Sequence, residues 1–179
     1  QTNEIALDFD KAICHLPYAY QGRRMLAEIW FEWILKTKNQ TWITEIFGEI
    51  PTDNGSLKIF LKSLSKHPLY VEFVNHKIAQ SEQASSEIGN MYTSSIFMAL
   101  LSMFTVAKDV NENVTNSQIA FLGYGSGSKS KVFKGTINKN YLEGLKSAGN
   151  IFDALNTQKK ISFGTYVSRH KGEIQSPMA

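Results

Sequence analysis

Short apolar runs and longer amphipathic ones follow each other along the chain, and their periods separate strands from helices. Ala12-Ile13-Cys14 is a continuous apolar run inside "KAICHLPY" that breaks at Pro17, the pattern of a short buried strand. The next segment, "GRRMLAEIWFEWILKT", places Leu26, Ile29, Trp30, Trp33 and Ile34 at helical spacing, so its aromatic stripe reads as a core-facing helix. Residues 37–56 are polar and end in "PTDNGS", which predicts a surface loop around Pro51 and Asn54-Gly55. "LKIFLKSLSKH" returns to helical spacing through Leu57, Phe60, Leu61 and Leu64. Pro68 interrupts it and suits the first turn of a further helix through "PLYVEFVNHKIAQSEQ".

The second half opens with "SSEIGNMYTSSIFMALLSMF", polar at first and apolar after Gly89-Asn90. It predicts a helix from about Ser95 to Phe104, with Thr93 or Ser94 as its cap. "KDVNENVTNSQ" reads as a polar loop. "IAFLGYGSGSKSKVFKGTI" reads as a hairpin, with a Gly-rich turn and a second strand carrying Val132, Phe133 and Thr136. One helix is predicted near "YLEGLKSAGNIFDAL", and Ser162 can cap a last short one. The order strand, helix, irregular helices, helix, strand, strand, helix predicts an α/β layer arrangement in one domain, residues 1–179.

Composition narrows the classes. A chain of 179 residues, 42% apolar and 20% charged, is enough for one soluble domain with a real core. The net charge is +3, and its basic residues are scattered apart from the pair Arg23-Arg24, which makes no case for nucleic acid. A single cysteine excludes an intrachain disulfide and a Cys-based zinc site, and the four histidines lack metal-ligand spacing. No apolar run is long enough to span a bilayer, so no membrane association is expected and the cytoplasm is the default location. The N-x-S/T matches at Asn39, Asn54 and Asn113 read as chance. The chain begins on Gln1 rather than Met, so a preceding segment is expected.

Candidate chemistry lies at element ends. His15 follows the buried strand and precedes Pro17; it is either a satisfied imidazole or a group that polarises a carbonyl. Gly89 allows a tight turn, and Asn90 then serves either as a helix cap or as an amide donor to a substrate carbonyl. "GYGSGS" lacks the G-K-[ST] ending of a Walker loop; it is either an ordinary hairpin turn or a close backbone approach to a substrate, with Ser126 as an added donor. Cys14 and His15 are adjacent on a strand and point to opposite faces, so they do not form a nucleophile–base pair; Cys14 reads as core.

Three motifs in order resemble the C-terminal half of hydroxymethylglutaryl-CoA synthases, of the thiolase-like superfamily. H-x-P-Y spans His15, Pro17 and Tyr18; G-N-x-Y-T carries Gly89, Asn90 and Tyr92; Y-G-S-G carries Tyr124 and Ser126. The tail "QKKISFGTYVSRHK" resembles bacterial members. The H-Q-A-N pattern of ketoacyl synthase III is absent. The resemblance implies a thiolase-like fold, a mixed sheet packed by helices, whose N-terminal half lies outside this chain. It also implies condensation of acetyl-CoA with acetoacetyl-CoA, with these CoA thioesters as substrates, no metal or redox cofactor, and a homodimeric intact enzyme. The family's nucleophilic Cys and its Glu base belong to that other half, so this chain alone is expected to be inactive. His15 matches the family's acetoacetyl-binding His, Asn90 an active-site Asn, Ser126 a Ser near the acyl oxygen, and Arg23 with Arg24 a basic pair of bacterial members. Tyr20 stands where many members carry Lys. Two alternatives accompany this reading: a naturally short, non-catalytic thiolase-like subunit, and a condensing enzyme of polyketide branching that takes its acyl group from a carrier protein. His15, Asn90 and Ser126, 75 and 36 positions apart, are expected to line one concave surface.

Overall fold

The computed structural model describes residues 7–125 and 129–174. Its centre is a three-stranded mixed sheet in the order β1-β2-β3. Strand β1, Lys11–Cys14, runs parallel to β2, Gln118–Gly125, with Ala12 opposite Ala120 and Cys14 opposite Leu122. Strand β3, Lys129–Thr136, returns antiparallel to β2 and stacks Phe133 on Phe121. All of β1 is buried, as its unbroken apolar run predicts for a strand covered on both faces, whereas β3 is almost wholly exposed.

Parallel pairing needs a long crossover, and helices supply it. α1, Gln21–Thr37, buries Leu26, Ala27, Trp30, Phe31 and Ile34, while Ile29 and Trp33 pack at the core margin. α2, Gln40–Phe47, occupies part of the expected loop. Asn39 caps it by accepting from the Trp42 N–H, and Ile43, Trp42 and Phe47 pin it to the core, which a polar stretch so short does not advertise. α3, Asn54–Leu64, begins earlier than expected because Asp53 accepts from the Ser56 N–H, so Asn54-Gly55 forms a helical first turn instead of a loop.

The run after Pro68 divides at buried Ile78 into α4, Pro68–Lys77, and α5, Ala79–Ile88. A 3-10 turn, Tyr92–Ser94, leads into α6, Ser95–Asp109, which is longer than the apolar run suggests and takes in the start of the expected polar loop. Neither Thr93 nor Ser94 caps α6 with its side chain. Ser94 is already helical, and the buried Ser95 hydroxyl instead accepts from the Met91 N–H. The tail forms α7, Tyr141–Ala148, and α8, Ile151–Asn156, two helices rather than one because Gly149 at φ +76° ends the first and Asn150 caps the second. α9, Phe163–His170, starts at Ser162, whose hydroxyl accepts from the Thr165 N–H as expected.

Two close approaches seat this crossover on the sheet. Ser102 of α6 accepts from the Ala84 N–H and donates to the Gln80 carbonyl, which draws α6 against α5. Gly22 lets the first turn of α1 press on the end of β1: a Cβ there would lie 3.0 Å from Cys14 Sγ and 3.1 Å from its Cβ. Gly22→Val is therefore expected to lower unfolding stability by about 2–3 kcal/mol through overpacking, despite Val's better helix propensity than Gly. Urea denaturation checks it, and a variant of wild-type stability means that the α1–β1 contact yields freely.

Candidate active site

His15 is placed by its backbone before its side chain. Its N–H donates to the Leu122 carbonyl at 2.9 Å, continuing the β1–β2 ladder for one residue past Cys14. The half-buried imidazole then meets Tyr124 edge to face, with centroids 5.1 Å apart and the rings at 90°. Two of the three motifs thus touch through these residues. The Tyr124 hydroxyl lies by Gln21, is buried, and makes no hydrogen bond of normal geometry among the described residues; burial pushes its pKa above the usual phenol range. Ser126 lies outside the described residues.

Pro17 is half-buried and Tyr18 exposed; the Tyr18 carbonyl accepts from the Gln21 N–H as the loop turns into α1. The two arginines that follow have different settings. The exposed Arg24 has its guanidinium 6.0 Å from the centre of the Tyr18 ring. Arg23 reaches the other way. Its guanidinium lies 4.9 Å from the centre of the Tyr20 ring, and its Nε donates to Glu82 Oε2 at 2.5 Å.

Gly89 ends α5 at φ +82°, a conformation that favours glycine. The next residue, Asn90, is exposed, and its Oδ1 accepts from the Tyr92 N–H at 2.8 Å. This Asx turn holds Tyr92 at φ +50°, which costs a bulky residue about 1–2 kcal/mol. The Tyr92 ring stands 77% exposed. Asn90 therefore caps nothing on α6; it shapes the turn and keeps its amide N–H groups for other partners. The turn feeds α6 at the sheet end that carries His15, since a Cβ on Gly123 would lie 3.9 Å from Ile96 Cδ1.

Two buried groups set the electrostatics. Cys14, 1% exposed, has its thiol pushed up to about 12 by burial, with the nearby Glu82 adding to the shift, so it is an inert core residue as expected. Glu82 escaped the sequence reading. It is 2% exposed in the first turn of α5, and burial pushes its carboxyl up to about 7 against the pull of Arg23. Its one sequence signal is a lone acid among Ser81, Ala84 and Ser85, small residues that mark a packed helix face. Among the described residues no group of His, Cys, Asp and Glu could hold a metal ion. A groove of about 630 Å³ at the opposite end of β1, between Asp10, Glu72, His76 and Glu112, includes neither His15 nor Asn90.

Residues 1–171 match the family described as the hydroxymethylglutaryl-coenzyme A synthase C-terminal domain. The chain belongs to this family. The hydroxymethylglutaryl-CoA synthase of Haloferax volcanii is 26% identical over 125 residues, which are 67% of this chain and 28% of that protein. The structure of MvaS in complex with 3-hydroxy-3-methylglutaryl coenzyme A superposes with a TM-score of 0.66 at 18% identity, over 92% of this chain and 34% of that one. An HMG synthase of the curacin biosynthetic pathway, in complex with an apo donor carrier protein (donor-ACP), follows at a TM-score of 0.58 and 15% identity, over 94% and 34%. The chain thus has the thiolase-like fold of these synthases and spans about a third or less of their length.

The two buried groups generate measurable behaviour. Iodoacetamide at pH 8 is expected to leave Cys14 unmodified in the native chain and to alkylate it in urea; fast native labelling contradicts its burial. The Glu82 carboxyl titrates near 4.5 in an ordinary setting and near 7 in the fold, so the folded state holds its proton more tightly. That contribution to stability is complete below about 4.5 and is lost as pH rises through about 7. Wild-type stability relative to Glu82→Gln should therefore decline across this window and level off above it. Parallel curves from denaturation at successive pH values mean that Glu82 titrates normally.

Proposed function

We propose that this chain is the acceptor-binding part of an enzyme that makes hydroxymethylglutaryl-CoA from acetyl-CoA and acetoacetyl-CoA. The observation that carries the reading is the meeting of His15 with Tyr124 at the joined ends of two parallel strands, in a chain of this family. In the proposed reaction a cysteine thiolate outside this chain takes the acetyl group and releases CoA. A glutamate removes a proton from the acetyl methyl, and the carbanion adds to the ketone carbon of acetoacetyl-CoA. The ketone oxygen becomes an alkoxide, which takes a proton, and water then releases the product from the cysteine.

His15 and the Asn90 amide are the donors that hold and polarise the acetoacetyl carbonyl, each worth about 3–4 kcal/mol when well placed. Gly89 and Tyr92 shape the Asn90 turn, while Pro17, Tyr18 and Tyr124 frame His15; Ser126 is assigned to the acyl oxygen. Arg24, exposed, is better placed than the Glu82-bound Arg23 for the phosphates of CoA. Joining with the N-terminal half, homodimer formation and a cytoplasmic location belong to the same reading. A carrier-protein substrate is the second reading. Tyr20 in place of Lys keeps it open, the Arg23-Arg24 pair weakens it, and the curacin synthase was crystallised with such a donor.

In the full-length protein, His15→Ala is expected to lower condensation by about 10²–10³-fold while acetylation of the nucleophile proceeds. Lost acetylation with intact acetoacetyl binding reverses the role given to His15. Residues 1–179 alone are expected to give no condensation, because their one thiol is buried. Turnover by this chain on the order of 1–10³ per second overturns the reading.

A further inference from the structure

One buried ionisable group joins the two candidate binding segments. Glu82 sits in the first turn of α5, the helix that ends at Gly89 and delivers Asn90. It grips Arg23, in the first turn of α1, three positions past Tyr20 and at the end of the loop that starts with His15. Arg23 is held twice, because its backbone carbonyl also accepts from the Tyr70 hydroxyl of α4. Gly22 beside it lies on Cys14 and Leu16, so the His15 loop is anchored at both ends. Glu82 Oε1 has no hydrogen-bond partner among the described residues, which leaves Arg23 as the contact that orients the carboxylate.

We propose that Glu82 is a positioning residue: by holding Arg23 it ties the His15 loop to α5, and so sets the spacing of His15 and Asn90 in the acceptor site. This rests on the reading of those two residues as acetoacetyl-binding groups. The tie depends on charge. The groups that bear on Glu82 are Arg23 from α1, Tyr70 from α4 and Cys14 from β1. Burial keeps the tyrosine and the thiol neutral through the physiological range. Arg23 stays charged, so only the carboxyl of Glu82 changes state within the cluster near neutral pH. Protonation there weakens the grip on Arg23 and loosens the loop.

The test uses the full-length protein and two readouts. KM for acetoacetyl-CoA is expected to fall as pH rises through about 7 in the wild type. In Glu82→Gln it should be raised about tenfold at pH 8 and lose this component of its pH profile, with acetylation of the nucleophile little changed. Every other titratable group is common to the two proteins, so the difference between their profiles isolates Glu82. Independently of turnover, the backbone amide signals of Tyr18 and Asn90 should shift in Glu82→Gln. In the wild type they should share a titration that the variant lacks, and adding Arg23→Gln to the variant should move them no further. Unmoved signals, or a KM and pH profile equal to wild type, overturn the proposal. Moving signals in a protein that does not bind acetoacetyl-CoA uphold the tie and sink the acceptor-site reading. Should the Gln variant not fold, Glu82→Asp keeps the charge but draws it back by one methylene; a raised KM supports the proposal and a wild-type KM overturns it.

Discussion

A four-residue strand must pair in parallel with one that begins more than a hundred residues later, and the fold is built around that demand. Asp10 and Gln118, 108 positions apart, already hydrogen-bond at the foot of the pair. The intervening chain cannot be a tight turn, so it becomes the six-helix crossover that buries β1 on both faces. Burial makes its ends costly. At one end Lys11 is nearly covered, and its ammonium is met by Glu112 at 2.7 Å and by the His76 carbonyl. At the other end the apolar run has to stop, and the first side chain past the stop is His15.

The Arg23–Glu82 pair belongs to a different class of interaction from the apolar contacts around it. Burial lifts the carboxyl so far that the pair adds little net stability near neutral pH, since desolvation offsets most of the Coulombic attraction. An apolar residue at Glu82 would serve the core as well or better. What the pair supplies is direction. It fixes which way Arg23 points, and with it the spacing between α1 and α5. Arg24, one residue along and exposed, is under no such constraint.

Elements with a strong period were legible in the sequence; those made by capping and context were not. α1 and both strands of the hairpin follow directly from their hydrophobic spacing. α2 was hidden because eight residues span barely two turns, so its apolar Trp42, Ile43, Ile46 and Phe47 give only a short periodic signal inside a stretch that otherwise reads as loop; the Asn39 cap and buried Ile43 decide the matter. The start of α6 was legible in position but not in bonding: the helix begins at Ser95 with Ser94 in the N-cap position, yet no side chain caps it, and backbone geometry turns the Ser95 hydroxyl to the Met91 N–H instead. At the site, His15 and Tyr124 were singled out by motif, and their contact follows from the register of β1 on β2. Glu82 belongs to no motif, and its significance arises from burial beside Arg23, which sequence spacing does not report.

Cys14 and His15 carry the sharpest consequence of that register. They are neighbours in sequence, a thiol and an imidazole, and in many settings such a pair would read as a nucleophile and its base. The pleat separates them. Cys14 turns inward against Gly22, where burial holds the thiol protonated, and His15 emerges to meet Tyr124. Glu82, a carboxylate close enough to raise the thiol further, makes a thiolate at Cys14 still less accessible. The electrostatic environment that suppresses chemistry at Cys14 also orients Arg23. The chain's own thiol is therefore ill suited to forming a bond to a carbonyl. That follows from burial and pleat, and it is what the proposed reaction, with its nucleophile outside this chain, requires.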